Sequence, residues 1–260
     1  MGLPGKAFRL FASGPSRWRA RRVPPRCVLV LGVYLADKPN LAPEIALALG
    51  QSKHRVTQRW ASVGTGSHRV AEMSALTAAT YETPTPKFQI INTLLASEQL
   101  SAYDHVIVAD DDIELPPWFM DDYIGLQEVF GFALAQPARS LQSNVDHLVT
   151  LERHSCIARQ TGFVEIGPLF SMAARAFPLL LPFDESFYMG WGLDHVWPVM
   201  LRDAGLTQGI IDITPVHHRM RPVATTYSGD VARKRMSEAL QGRECIDAVA
   251  KLQPLRLYRW

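Results

Sequence analysis

The run Val106, Ile107, Val108 and Ala109 is apolar without alternation and stops abruptly at Asp110, Asp111 and Asp112. Four consecutive apolar residues behind Tyr103, Asp104 and His105 read as a strand buried on both faces, which belongs in a sheet covered by helices. The acidic end constrains the chain further. Adjacent carboxylates repel and raise one another's pKa unless a cation or several donors hold them charged. A hard divalent cation is the obvious partner, and the C-terminal end of a strand is where open α/β sheets bind ligands. An acidic loop or a helix cap would need only one such residue.

The rest of the chain supplies the sheet that this strand requires. Cys27 to Leu35 reads as a strand, and Pro43 to Leu49 as a helix stopped by Gly50. His54 to Val63 has strand composition, residues 68 to 80 read as helical, and Thr83 to Pro86 is a loop. Lys87 to Leu100 carries Phe88, Ile91, Leu94 and Leu95 at helical spacing. Pro116 and Pro117 open a helix through Phe130. Strand alternating with helix predicts an α/β fold with a mainly parallel sheet. In the second half, Phe132 to Gln136, Phe163 to Ile166 and Gly209 to Ile213 read as strands, and Ser228 to Leu252 as one amphipathic surface helix.

Length and charge set the outer bounds. At 260 residues with 47% hydrophobic residues, one globular body is the expectation. No apolar run reaches the roughly 18 residues of a membrane span. Cys27, Cys156 and Cys245 are too scattered for a zinc site or a disulfide framework, which fits a reducing, cytoplasmic setting. Residues 1–26 carry seven basic residues and no acid, leaving 20 basic against 25 acidic residues in the remainder. Residues 1–25 therefore read as a basic, flexible extension that could touch a membrane surface peripherally. The body of the chain, being net acidic, is not expected to bind nucleic acid.

Three further segments can carry chemistry. His217 and His218 follow an apolar run, and alternation along an extended segment sends their rings opposite ways, so one of the two can join a metal site. In Tyr188-Met189-Gly190-Trp191-Gly192-Leu193-Asp194 the glycines permit unusual backbone angles, the indole offers a flat face to a sugar, and Asp194 can accept a proton. Glu165 is a charge inside an apolar stretch and needs either an arginine partner or a ligand.

Together these segments resemble a glycosyltransferase of the GT-A type. From about Lys87 to His218 the order and spacing are similar to a plant family of glycosyltransferase-like proteins that carries a "trans-splicing related" label. The matching pieces are Tyr103-Asp104 with Asp110 to Asp112, Gln136-Pro137-Ala138, Thr161 to Glu165, Pro168 with Phe170-Ser171, Gly190 to Asp194, and Asp212 with Val216-His217. The resemblance implies a single GT-A-like, Rossmann-like α/β domain with helices on both faces of the sheet. Residues 26–135 would form its nucleotide-sugar half, 136–227 its acceptor half and 228–260 a C-terminal helix.

The same resemblance implies metal-dependent, inverting transfer of a sugar from a nucleotide-diphosphate donor to an acceptor hydroxyl on a glycan, a lipid-linked sugar or a protein. Asp110, Asp112 and His217 would hold Mn2+ or Mg2+. Asp110, Asp111, Lys87, Trp191 and Gly192 would contact the donor, and Asp194 would be the base. The segment departs here from the family's more common Trp-Gly-x-Glu-Asp, which leaves Glu165 as the other candidate base. Tyr34 or Arg59 would face the nucleotide. A metal-dependent phosphoester hydrolase and a non-catalytic glycan- or protein-binding module are the rival readings.

Overall fold

The computed structural model describes residues 13–221 and 227–259. Its first half runs through helix α1 (Gly14–Arg22), strand β1 (Cys27–Leu35), helix α2 (Ala42–Gly50), strand β2 (Arg55–Val63), the short helix α3 (Val70–Met73), strand β3 (Thr77–Tyr81), helix α4 (Lys87–Ala96) and strand β4 (His105–Ala109). A two-residue strand β5 (Ile113–Glu114), helix α5 (Phe119–Phe130) and strand β6 (Phe132–Arg139) follow. The remainder comprises β7 (Cys156–Thr161), β8 (Leu169–Ala173), α6 (Phe177–Leu180), α7 (Leu193–Asp203), β9 (Thr207–His218), α8 (Gly229–Leu240), α9 (Ala248–Leu252) and β10 (Pro254–Arg259).

The strands form one sheet in the order β10-β7-β9-β6-β8-β4-β1-β2-β3, with β5 paired to β9. β4, β1, β2 and β3 are mutually parallel, as their helical crossovers require. β8 enters antiparallel between β4 and β6, and β6 pairs parallel with β9. Alternation along β1 splits the core between two faces: Val28 and Val30 pack among Ile45, Leu49, Tyr123 and Ile124 of α2 and α5, whereas Leu29 and Leu31 pack with Phe88, Ile91 and Trp197 of α4 and α7. Each fully buried aliphatic side chain is worth about 1.5–3 kcal/mol, so β1 and β4 need both helical layers. Gly32 allows the Trp60 ring to cross β1, since a Cβ there would stand 2.2 Å from it.

Four local expectations change. Residues 68–80 form one helical turn and then β3, because Thr77, Thr80 and Tyr81 complete the parallel edge beside β2. Phe163 to Ile166 is an irregular passage between β7 and β8, with the Glu165 N–H donating to Gln136 Oε1. The short strand at Gly209 is the middle of a 12-residue strand. The C-terminal segment is two helices and a strand, and β10 closes the sheet beside β7.

The basic extension is also tied down from Gly14 onward. Arg17 and Arg21 both engage the fully buried Asp122 of α5, Arg17 also donates to Ile213 O at 2.9 Å, and Ala20 sits against Gly125. Lys53 Nζ donates to the carbonyls of Ala20, Arg21 and Val23 at the helix C-terminus, where the macrodipole favours a cation. Residues 1–12 of the expected extension lie outside the described residues. Among the described residues no helix is long and apolar enough to cross a membrane, and the three cysteines are free thiols.

Candidate active site

A cleft of about 990 Å³ opens at the C-terminal ends of β1, β2 and β4. One end is walled by Val33, Leu35, Asp37, Lys38, Val63 and Pro84 to Pro86, the other by Trp191, Asp194 and His195. Among the expected donor-side residues, Lys87, Asp110, Asp111, Asp112, Trp191 and Gly192 all line it, as do the two candidate bases Glu165 and Asp194. His217, Tyr34 and Arg59 do not. Tyr34 is buried with its hydroxyl 2.9 Å from Thr77 Oγ1, and Arg59 is held outside by Glu98 at 2.7 Å. Asp37 and Lys38 lie directly past the end of β1.

The three aspartates divide according to their partners. Asp110 is the most exposed, with Oδ1 2.5 Å from Lys87 Nζ. Asp111 is buried beneath it, accepts from the Leu35 backbone N–H at 2.8 Å and meets the Arg221 guanidinium. Burial pushes its carboxyl up to about 7, opposed by Arg221 and reinforced by Asp112. Asp111 thus knits the end of β1 to this loop while still lining the cleft. Burial also raises the Asp112 carboxyl, but the hydrogen bond from His218 together with Arg221 outweighs it and holds the group below the usual range.

Strand pairing explains which histidine reaches the cleft. β5 lies antiparallel to the end of β9, with Ile113 opposite His218 and Glu114 opposite His217. His217 turns away, its Nδ1 2.6 Å from Ser140 Oγ, so the expected third ligand is not at the site. His218 faces inward with Nε2 3.3 Å from Asp112 Oδ1. Its Nδ1 lies 2.6 Å from an Arg139 guanidinium nitrogen. Arginine can only donate, so Nδ1 accepts and the ring proton sits on Nε2, directed at Asp112. His218 is therefore a donor that orients Asp112.

Arg139, at the end of β6, is the residue that sequence reasoning missed most completely. It is 2% exposed and also donates to Glu165 Oε2 at 2.7 Å, Asn144 O at 2.9 Å and Gly167 O at 3.1 Å. Glu165 is equally buried; desolvation raises its pKa and Arg139 opposes the rise. The charge in the apolar stretch thus has the arginine partner it needed. A basic residue closing the apolar strand Phe132 to Arg139 was the available signal.

At the opposite end, Gly192 takes a left-handed φ of +103° and lets the chain turn into α7 beneath Phe187 and Met236. That turn places Asp194 in the first turn of the helix and Trp191 on the cleft wall, its indole Nε1 donating to Tyr227 OH at 2.9 Å. Asp194 is 6% exposed. Burial pushes its carboxyl up to about 7, with Lys251 opposing the shift and Glu165 adding to it. A carboxylate poised there can take a proton near neutral pH.

Among the described residues no three His, Cys, Asp or Glu side chains form a metal cage. The donor set still fits a divalent cation of another kind: Asp110 and Asp112 supply oxygen ligands on one cleft wall, and magnesium or manganese sites of this type are completed by phosphate oxygens and water. Lys87 and Arg221 are the cations that contact these carboxylates in the protein alone.

No family model matches the sequence, and no curated protein does. Solved structures match the fold. The mannosyltransferase PcManGT from Pyrobaculum calidifontis, in complex with GDP-Man and Mn2+, aligns with a TM-score of 0.51 and 12% identity over 96% of this chain and 78% of its own. S. aureus TarS 1-349 with UDP-GlcNAc gives 0.53 and 11% identity over 83% of this chain and 67% of its own. GalNAc-T7 with UDP, GalNAc and Mn2+ gives 0.51 and 11% identity over 84% of this chain, which spans about half (48%) of that protein. The architecture of the chain, a mixed α/β domain with helices on both faces of its sheet, is that of the GT-A type of glycosyltransferase.

Proposed function

We propose that the chain transfers a sugar from a nucleoside-diphosphate donor to an acceptor hydroxyl, with inversion at the anomeric carbon. The observation that carries this reading is the sharing of one cleft by the carboxylates at the end of β4 and the buried Asp194 beside Trp191. The nucleotide would lie over Val33 to Lys38 and Pro84 to Pro86, and the acceptor between Trp191 and Asp194. The donors bound by the fold neighbours support the same assignment.

The residues divide the work as follows. Asp110 and Asp112 would hold Mn2+ or Mg2+, which when bound offsets the charge of the leaving diphosphate. Lys87 and Arg221 bring further positive charge to the same wall, and His218 with Arg139 keeps Asp112 oriented. Trp191 stacks on a sugar face. Asp194 takes the proton of the acceptor hydroxyl as that oxygen attacks the anomeric carbon from the side opposite the diphosphate. Glu165 is the weaker base candidate, because Arg139 already engages its carboxylate.

The test is sugar transfer or donor hydrolysis by Asp112→Asn and Asp194→Asn. Both variants should lose transfer while Asp194→Asn still binds donor. Full transfer by both would sink the assignment. A two-metal phosphoester hydrolase needs more ligands than the described residues bring together, and turnover of a simple phosphoester without sugar transfer would revive it.

A further inference from the structure

Asp194 is buried, and the titratable groups that share its part of the cleft come from four parts of the chain. Glu165 approaches from the passage between β7 and β8, His147 from the loop after β6, His195 from α7 itself and Lys251 from α9. Arg139 is engaged by Glu165 and His218, so its charge is spoken for. Burial, with Lys251, His195 and Arg139 adding, lowers His147 to about 4, which leaves it neutral. His195 is lowered too, by burial and then by Lys251.

Lys251 stands out within this set. Its Nζ donates to His195 Nε2 at 3.0 Å and lies 4.2 Å from the centroid of the Phe163 ring. Because His195 Nε2 accepts from the ammonium, it carries no proton toward Asp194 Oδ1, which is 3.9 Å away; that contact is not an ion pair. The same ring nitrogen therefore neighbours both the ammonium and the carboxylate. The C-terminal segment is built to deliver this side chain. Asp247 caps α9 by accepting from the N–H groups of Val249 and Ala250, Ile246 N donates to His195 O at 2.9 Å, and β10 pairs with β7 directly afterwards. Gly162 leaves room for it, since a Cβ there would stand 2.8 Å from Ile246 Cδ1.

We propose that Lys251 is the positioning residue for Asp194: its ammonium, fixed by His195 and Phe163, supplies the positive charge that keeps the buried carboxylate able to ionise. This rests on Asp194 being the base, but the coupling itself can be read without substrate. In protein labelled with carboxyl-13C aspartate, the Asp194 resonance is identified by its loss in Asp194→Asn, then titrated in the full-length wild type, Lys251→Met, Lys251→Gln and Lys251→Arg. An opposite charge within about 4–6 Å lowers a carboxyl by about 1–3 pH units, and with one imidazole nitrogen between Lys251 Nζ and Asp194 Oδ1 the lower end of that range is expected. The Asp194 midpoint should therefore rise by about one unit or more in Lys251→Met and Lys251→Gln and return in Lys251→Arg. The acidic limb of the transfer rate should move with it.

An unchanged midpoint in a folded neutral variant overturns the proposal, whatever the base proves to be. A shifted midpoint together with full transfer by Asp194→Asn would refute the base assignment and leave the coupling standing. If Lys251→Met melts early, Lys251→Gln carries the test, since it keeps a donor for His195 without the charge.

Discussion

Arg139→Met is the substitution with the most to lose, and its effect should depend on pH in a definite sense. The guanidinium makes four hydrogen bonds from a nearly inaccessible position, and its removal leaves the Glu165 carboxylate buried without its hydrogen-bonded counter-charge and beside Asp146. Breaking one side of a buried pair costs about 3–5 kcal/mol. In a domain of this size 1 kcal/mol is about 2–4 °C, so the melting point at pH 8 should fall by about 6–20 °C. In the variant the folded Glu165 pKa lies further above its unfolded value, so the native state binds the extra proton. Stability is then retained below the unfolded pKa and lost as pH rises through the folded one. Urea unfolding at about pH 5 and pH 8 should show the smaller penalty at pH 5. Arg139→Met combined with Glu165→Gln should be less destabilised than the sum of the single changes. Equal penalties at both pH values, with additive single effects, would show that Arg139 does not stabilise the buried Glu165 charge.

Two further outcomes follow from the same geometry. With the Asp194 carboxyl pushed up to about 7, transfer should rise with pH across about 6 to 8, and Asp194→Asn should lower its rate by about 10²- to 10⁴-fold with little change in donor affinity; a flat pH profile excludes Asp194 as the base. Asp122→Ala removes the shared partner of Arg17 and Arg21, so limited proteolysis should cut between Gly14 and Pro25 faster than in the wild type while the body persists. Unchanged cleavage would show that the Lys53 hydrogen bonds and the packing of Ala20 on Gly125 suffice to hold α1.

Much of the site was legible because its pieces are local. An apolar strand followed by Asp110 to Asp112 announces both a sheet and its ligand edge, and Gly190-Trp191-Gly192 announces an irregular backbone before Asp194. Alternation also implied that one histidine of the pair would face inward, but its choice rested on pairing with the two residues of β5, which no periodicity reveals. Residues 68–80 misled because alanine and methionine favour helix while the open edge of β2 rewards a strand. Arg139 and Lys251 were invisible for a different reason. Each is an ordinary basic residue in sequence and becomes significant only through partners brought close by the fold, 26 residues away for Glu165 and 56 for His195. The basic extension was misjudged because the burial of Asp122, which turns Arg17 and Arg21 from solvated charges into an anchor, is a tertiary property.

The acidic end of β4 and the cleft above it are proposed to form a nucleotide-sugar site that takes a divalent cation. Thermal-shift titration of the full chain with nucleoside diphosphates and sugar nucleotides, with and without Mn2+, tests it most directly, because ligand binding to the native state raises the melting point by mass action. At least one sugar nucleotide should give a shift that grows with Mn2+ and loses that dependence in Asp112→Asn. Shifts of equal size with and without Mn2+, and in Asp112→Asn as in the wild type, would contradict it.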